Sequence, residues 1–147
     1  VMKKNVTRLF ALGILVALAA CGAPKELGSI SGYYEGEKDA VYAVVVEAVS
    51  AAATEFESDR WVVSQDDLEN HFLQADASMC CLKNFIGLSS GKRYETALSV
   101  KITKPKKGTR VAIDGGRDTA EMADRIWESL DASFARVRQG RLAPIID

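Results

Sequence analysis

Asp66, Asp67, Glu69 and His71 stand close together, and His71 is the one histidine in the 147-residue chain. Carboxylates beside an imidazole can do acid–base chemistry or hold a divalent cation. If the stretch is a strand, Asp67, Glu69 and His71 share one face, because strand side chains alternate. A solvated hairpin tip accounts for the same residues. Asp67, Glu69 and His71 are therefore weak metal candidates, and no catalytic residue, metal or cofactor is expected.

The sulfur chemistry rests on three cysteines: Cys21, Cys80 and Cys81. Adjacent Cys80 and Cys81 allow three states: a strained vicinal disulfide, an intermolecular bond, or two buried thiols acting as small hydrophobes. There is no CxxC pair, and two cysteines with one histidine do not form a recognisable zinc set. No P-loop, dinucleotide fingerprint, HExxH or nucleophile-elbow motif occurs, so an enzyme is not expected.

Cys21 is different because of what precedes it. Lys3, Lys4 and Arg8 are followed by an apolar run from Leu9 to Ala20, which ends in Leu18-Ala19-Ala20 directly before the cysteine. A basic start, a short apolar stretch and small residues at a cleavage point describe a secretory signal. The run is too short for a comfortable membrane span of about 20 residues. With cysteine next, the stretch resembles the lipobox of bacterial lipoproteins. That resemblance implies cleavage before Cys21, diacylation of its thiol and acylation of its new amine. A plain secretory signal or an uncleaved anchor is the alternative. Gly22, standing where an aspartate would resemble an inner-membrane retention signal, favours the outer membrane, facing the periplasm.

Residues 1–20 contain three basic and no acidic residues. The remainder holds 16 basic against 20 acidic residues, a formal net charge of −4. A mildly acidic body is a poor nucleic-acid binder, which needs clustered Lys and Arg. The expected partners are the membrane, through the N-terminal lipid, and an envelope protein.

The positioning elements follow from periodicity. Residues 22–30 read as a tether, and Ser31–Glu35 as a short strand. Val41, Val45, Ala48, Ala52 and Phe56 mark one helical face across Asp39–Phe56. Trp61–Val63 is a strand, Asp66–Asn70 a turn, and His71–Ala77 a returning strand with Leu73, Ala75 and Ala77 on one side. In Tyr94–Thr103, Leu98, Val100 and Ile102 alternate with Ser99, Lys101 and Thr103, giving a half-buried strand. Lys104-Pro105-Lys106-Lys107-Gly108 is a turn whose lysines offer a small basic tip for anionic headgroups. Thr109–Asp114 returns as a strand, with Val111 and Ile113 inward. Gly115-Gly116-Arg117 reads as a break. Asp118 then reads as the N-cap of a helix to about Arg138, with Glu121 as its capping-box partner. The apolar stripe of that helix is Ala123, Ile126, Leu130, Phe134 and Val137.

This order, β-α-β-β-β-β-α, predicts an α+β fold: an antiparallel sheet of four to five strands with two helices on one face. The expected division is 1–20 signal, 21–31 lipidated cysteine and tether, 32–140 one domain, 141–147 tail. Residues 78–92 are unusually apolar for a loop. Met79, Leu82, Phe85 and Ile86 recur at helical spacing and read either as a flap on the sheet or its edge or as a partner-binding or ligand-covering element.

Gly32-Tyr33-Tyr34-Glu35-Gly36-Glu37 leading to Val41-Tyr42-Ala43-Val44, then Gly108–Ile113 and Ala123–Ile126, resemble a DUF3568-like group of small bacterial lipoproteins. The element order is also similar to the helix-grip domains of the C-component lipoproteins of outer-membrane β-barrel assembly. The resemblance implies helices against a curved antiparallel sheet and brings no site residues. The Cys80-Cys81 segment departs from both. The expected role is a lipid-anchored, non-catalytic binding or interaction module, with a small-ligand or metal-binding lipoprotein as the alternative.

Overall fold

A computed structural model describes residues 26–56, 59–80 and 91–137. The elements in order are β1 (Glu26–Tyr34), α1 (Lys38–Glu55), β2 (Arg60–Asp67), β3 (Phe72–Met79), β4 (Tyr94–Thr103), β5 (Thr109–Arg117) and α2 (Ala120–Ser133). The five strands form one antiparallel sheet in the order β1-β5-β4-β3-β2. The fold is α+β, in the order the periodicities predict.

The core is built from one side of each strand. Leu73, Ala75, Ala77 and Met79 of β3, Leu98, Val100 and Ile102 of β4, and Val111 and Ile113 of β5 are buried. Against them lie Val41, Tyr42, Val45, Ala48, Val49 and Ala52 of α1, and Met122, Ala123, Ile126 and Leu130 of α2. Each large apolar side chain so buried contributes about 1.5–3 kcal/mol. The two helices also pack on each other. Strands β1 and β2 occupy opposite edges, so α1 must cross the whole sheet between them. Its 18 residues make about 27 Å of helix, enough to cross five strands spaced about 4.8 Å apart.

Several boundaries differ from the sequence reading. β1 begins at Glu26, inside the stretch read as tether, so the domain starts before residue 32. Its pairing with β5 runs to Glu26↔Arg117. Gly115, Gly116 and Arg117 continue β5 instead of breaking it. A Cβ on Gly115 would lie 2.2 Å from Thr119 Oγ1 and 2.7 Å from Leu27 Cδ2. The absent side chain is what lets these groups close over the strand. β2 extends through Asp67, which shortens the turn before β3.

The expected capping box is absent. Thr119 is the N-cap of α2 and makes no side-chain capping bond. Asp118 sits in the left-handed region at φ 57° and accepts a hydrogen bond from the Tyr94 hydroxyl instead. α2 ends at Ser133, short of Arg138, because Phe134 is extended (φ −137°, ψ 146°). The chain then turns onto the outer edge of β1. Glu35 N–H donates to Ala135 O at 2.9 Å, and Val137 N–H to Tyr33 O at 2.9 Å.

One polar cluster clamps that return. The buried Tyr34 donates to Asp131 Oδ1 at 2.9 Å. Arg136 grips both oxygens of Asp131, at 2.5 and 2.8 Å, and lies over the rings of Tyr34 and Trp127. The Arg136 guanidinium, helped by the Tyr34 hydroxyl, holds the Asp131 carboxyl below the usual carboxylate range, while partial burial opposes this. A carboxyl whose pKa is depressed in the folded state stabilises above its unfolded value, about 3.9. That stabilisation disappears as pH falls through the folded value. Urea unfolding at pH 7 and pH 3 tests this: the parent protein should lose more stability over the interval than Asp131→Asn. An equal loss in both removes the clamp from the account.

Candidate binding face and the acid–histidine cluster

His71 does not join Asp67 and Glu69 on a strand face. It closes the β2–β3 turn at φ 50°, and its carbonyl accepts from Ile102 N–H at 3.0 Å. The ring is 6% exposed. Its Nε2 lies 2.5 Å from Asp39 Oδ1 in the first turn of α1, and the Asp39 side chain is largely exposed. Tyr42 packs edge-on against the imidazole, centroids 5.5 Å apart. The Tyr42 hydroxyl lies 2.6 Å from Asp66 Oδ1 and 3.0 Å from Phe72 O. Burial, and then the Asp66 carboxylate, raise the phenol well above its ordinary pKa.

Asp67 serves its own turn, accepting from Asn70 N–H at 3.0 Å and from Asn70 Nδ2 at 2.8 Å. These bonds lower its carboxyl. Asp66, Asp67 and His71 thus have separate structural partners, and Glu69 is exposed in the turn between β2 and β3. His71 Nδ1 is buried and without a hydrogen bond, while Nε2 is engaged by Asp39. Among the described residues no three His, Cys, Asp or Glu side chains are placed to hold a metal ion.

The apolar segment is corrected at one point. Met79 is the last residue of β3 and is 8% exposed, so it belongs to the core and not to a partner-facing flap. Leu82, Phe85, Ile86 and Cys81 lie outside the described residues, as does Cys21. Cys80 is disulfide-bonded, which replaces the free-thiol reading for that residue; its N–H is bonded to Asp59 Oδ1 at 3.2 Å.

The face that sequence reasoning did not single out is the second face of the sheet. Both helices pack on the other side, and no described element covers this one. It carries Ser29 and Ser31 of β1, Arg110, Ala112 and Asp114 of β5, and Glu95, Ala97, Ser99 and Lys101 of β4. Gln74 and Asp76 of β3 complete it, aligned across the strands by the registers Ser29↔Asp114↔Ser99↔Gln74. Ser29, Gln74, Ala97, Ser99, Asp114 and the adjacent glycines line a shallow, open depression of about 350 Å³. Its chemistry is hydroxyl, amide and carboxylate with exposed methyl groups.

The sequence did carry one signal for this face. The alternation in β4 placed Ser99, Lys101 and Thr103 on the wet side, and the same period applied to β3 and β5 reveals the rest. No protein-family model matches this chain, and no curated protein matches it.

Proposed function

We propose that this protein is a lipid-anchored, non-catalytic interaction module of the bacterial envelope, held by Cys21, which meets an envelope protein through the open face of its sheet. The observation that carries the reading is that uncovered polar face on a sheet whose other side is packed by two helices. The Leu18-Ala19-Ala20-Cys21 signal supports the anchoring half. No described helix is long and apolar enough to cross a membrane. The separate structural partners of Asp66, Asp67 and His71 support the non-catalytic half.

The test is site-specific photo-crosslinking in intact cells. A photoreactive residue replacing Ala97 or Lys101, both exposed on the open face, should give a discrete adduct. The same probe at Glu47, exposed on α1, should not. Adducts from Glu47 alone, or none from the sheet face, would remove that face from the proposal.

A further inference from the structure

We propose that β1 is a self-association edge, along which two copies of this chain pair antiparallel about Ile30. This goes beyond the partner-binding face and stands independently of it. β1 is an outer strand. Tyr33 and Glu35 bond outward, to Val137 and Ala135. Because a strand alternates, the main-chain groups of Ser31 and Ser29 point the same way. No described backbone group bonds to Ser29 or Ser31 from that side. Exposed edges are usually guarded by charge, proline or cover. Leu27–Tyr33 contains neither a charged residue nor proline.

The open stretch is self-complementary. Gly28-Ser29-Ile30-Ser31-Gly32 reads the same in both directions. A two-fold antiparallel pair centred on Ile30 sets Ser29 against the partner's Ser31, and Gly28 against the partner's Gly32. Such an isologous contact closes on itself and does not propagate. Since Ser29 and Ser31 carry the outward groups, the two isoleucines fall at the non-hydrogen-bonded position. Side chains approach most closely there, with Cα atoms about 4.5 Å apart. Ile30 pairs with Ile113 and so lies on the helix side of the sheet, yet it is 42% exposed. Pairing covers it with its own copy. Gly32 keeps the flank low, where Trp127 already stands 3.3 Å from the position of its missing Cβ. Residues 135–137 occupy Tyr33–Glu35, which limits the contact to the five-residue stretch and makes the dimer concentration-dependent.

Sedimentation of the chain from residue 22 onward, which retains every described residue, should show a monomer–dimer equilibrium. Ile30→Lys should weaken it by about tenfold or more through like charges set face to face, with an unchanged far-UV spectrum. Ile30→Cys should cross-link into a dimer under mild oxidation, whereas Val62→Cys, exposed on β2 at the opposite edge, should not. A monomer at every concentration with no Ile30→Cys cross-link overturns the proposal. So does slow amide exchange at Ser29 and Ser31 in a monomer that becomes fast when residues 138–147 are removed, which would assign the edge to the chain's own C-terminal residues.

Discussion

Serine in place of Cys21 is expected to move the protein from the membrane fraction to the soluble fraction. One acyl chain gives marginal binding, and two or more hold a protein on a bilayer almost permanently. The thioether that carries two of those chains needs the Cys21 sulfur, which serine lacks. The expected change is from nearly all membrane-bound to nearly all soluble, read by fractionation and by the loss of the acyl mass. A thioether sulfur also cannot form a disulfide. The bridge at Cys80 should therefore survive Cys21→Ser, with the free-thiol count of the folded protein unchanged. A serine variant that still partitions with lipid would show that something other than this residue holds the protein, and the anchored reading would fall.

Gly108→Ala is expected to destabilise the fold by about 2–5 kcal/mol. Two independent costs meet at this position. Its φ of +83° lies where an L side chain is strained by about 1–2 kcal/mol. A Cβ would also stand 2.9 Å from the Tyr34 carbonyl oxygen and 2.9 Å from Val137 Cγ2. The carbonyl is backbone and cannot rotate away, and crowding of this kind costs about 1–3 kcal/mol. Tyr34 anchors the Asp131–Arg136 clamp, so the turn and the C-terminal return should loosen together. Urea denaturation would measure it. Gly91→Ala is the informative control: its φ is similarly positive, +68°, but among the described residues nothing lies within 4 Å of a Cβ there. It should show the strain without the collision. Equal costs for the two would mean that the contact with Tyr34 contributes nothing.

What could be read from the chain alone was whatever has a period. The alternation through Leu98, Val100 and Ile102 is a strand with one dry side, and the stripe from Val41 to Ala52 is a helix laid on that side. The lysine-rich turn ending in Gly108 is visible because proline and glycine punctuate it. β1 was shortened because an outer strand that leans on Trp127 through Gly32 has little apolar alternation to show. The end of β5 was misread because Gly115 and Gly116 suggest a break, when Gly115 permits close packing beneath Leu27 and Thr119 and Gly116 close packing against Thr96. Asp118 satisfies the pattern of a cap, yet its left-handed backbone turns the carboxylate to Tyr94. The Asp39–His71 pair joins residues 32 positions apart, and no local pattern announces such a contact. The open face of the sheet was legible only in part, since one strand displayed it and its neighbours had to be aligned by register.

The early start of β1 sets the reach of the molecule. Four residues separate Cys21 from Glu26, and a chain advances at most about 3.6 Å per residue. If Cys21 is embedded, the body hangs on a leash of under roughly 20 Å. Gly108 sits beside Tyr34, at the other end of β1 from the point of attachment. Its lysine-bearing hairpin is therefore displaced from that point by about 26 Å, eight steps of strand. With its strands standing off the bilayer, the protein would hold those lysines away from headgroups. Anchored in this way it could not search the width of a periplasm: whatever it engaged would itself have to come to within a few nanometres of the lipid surface.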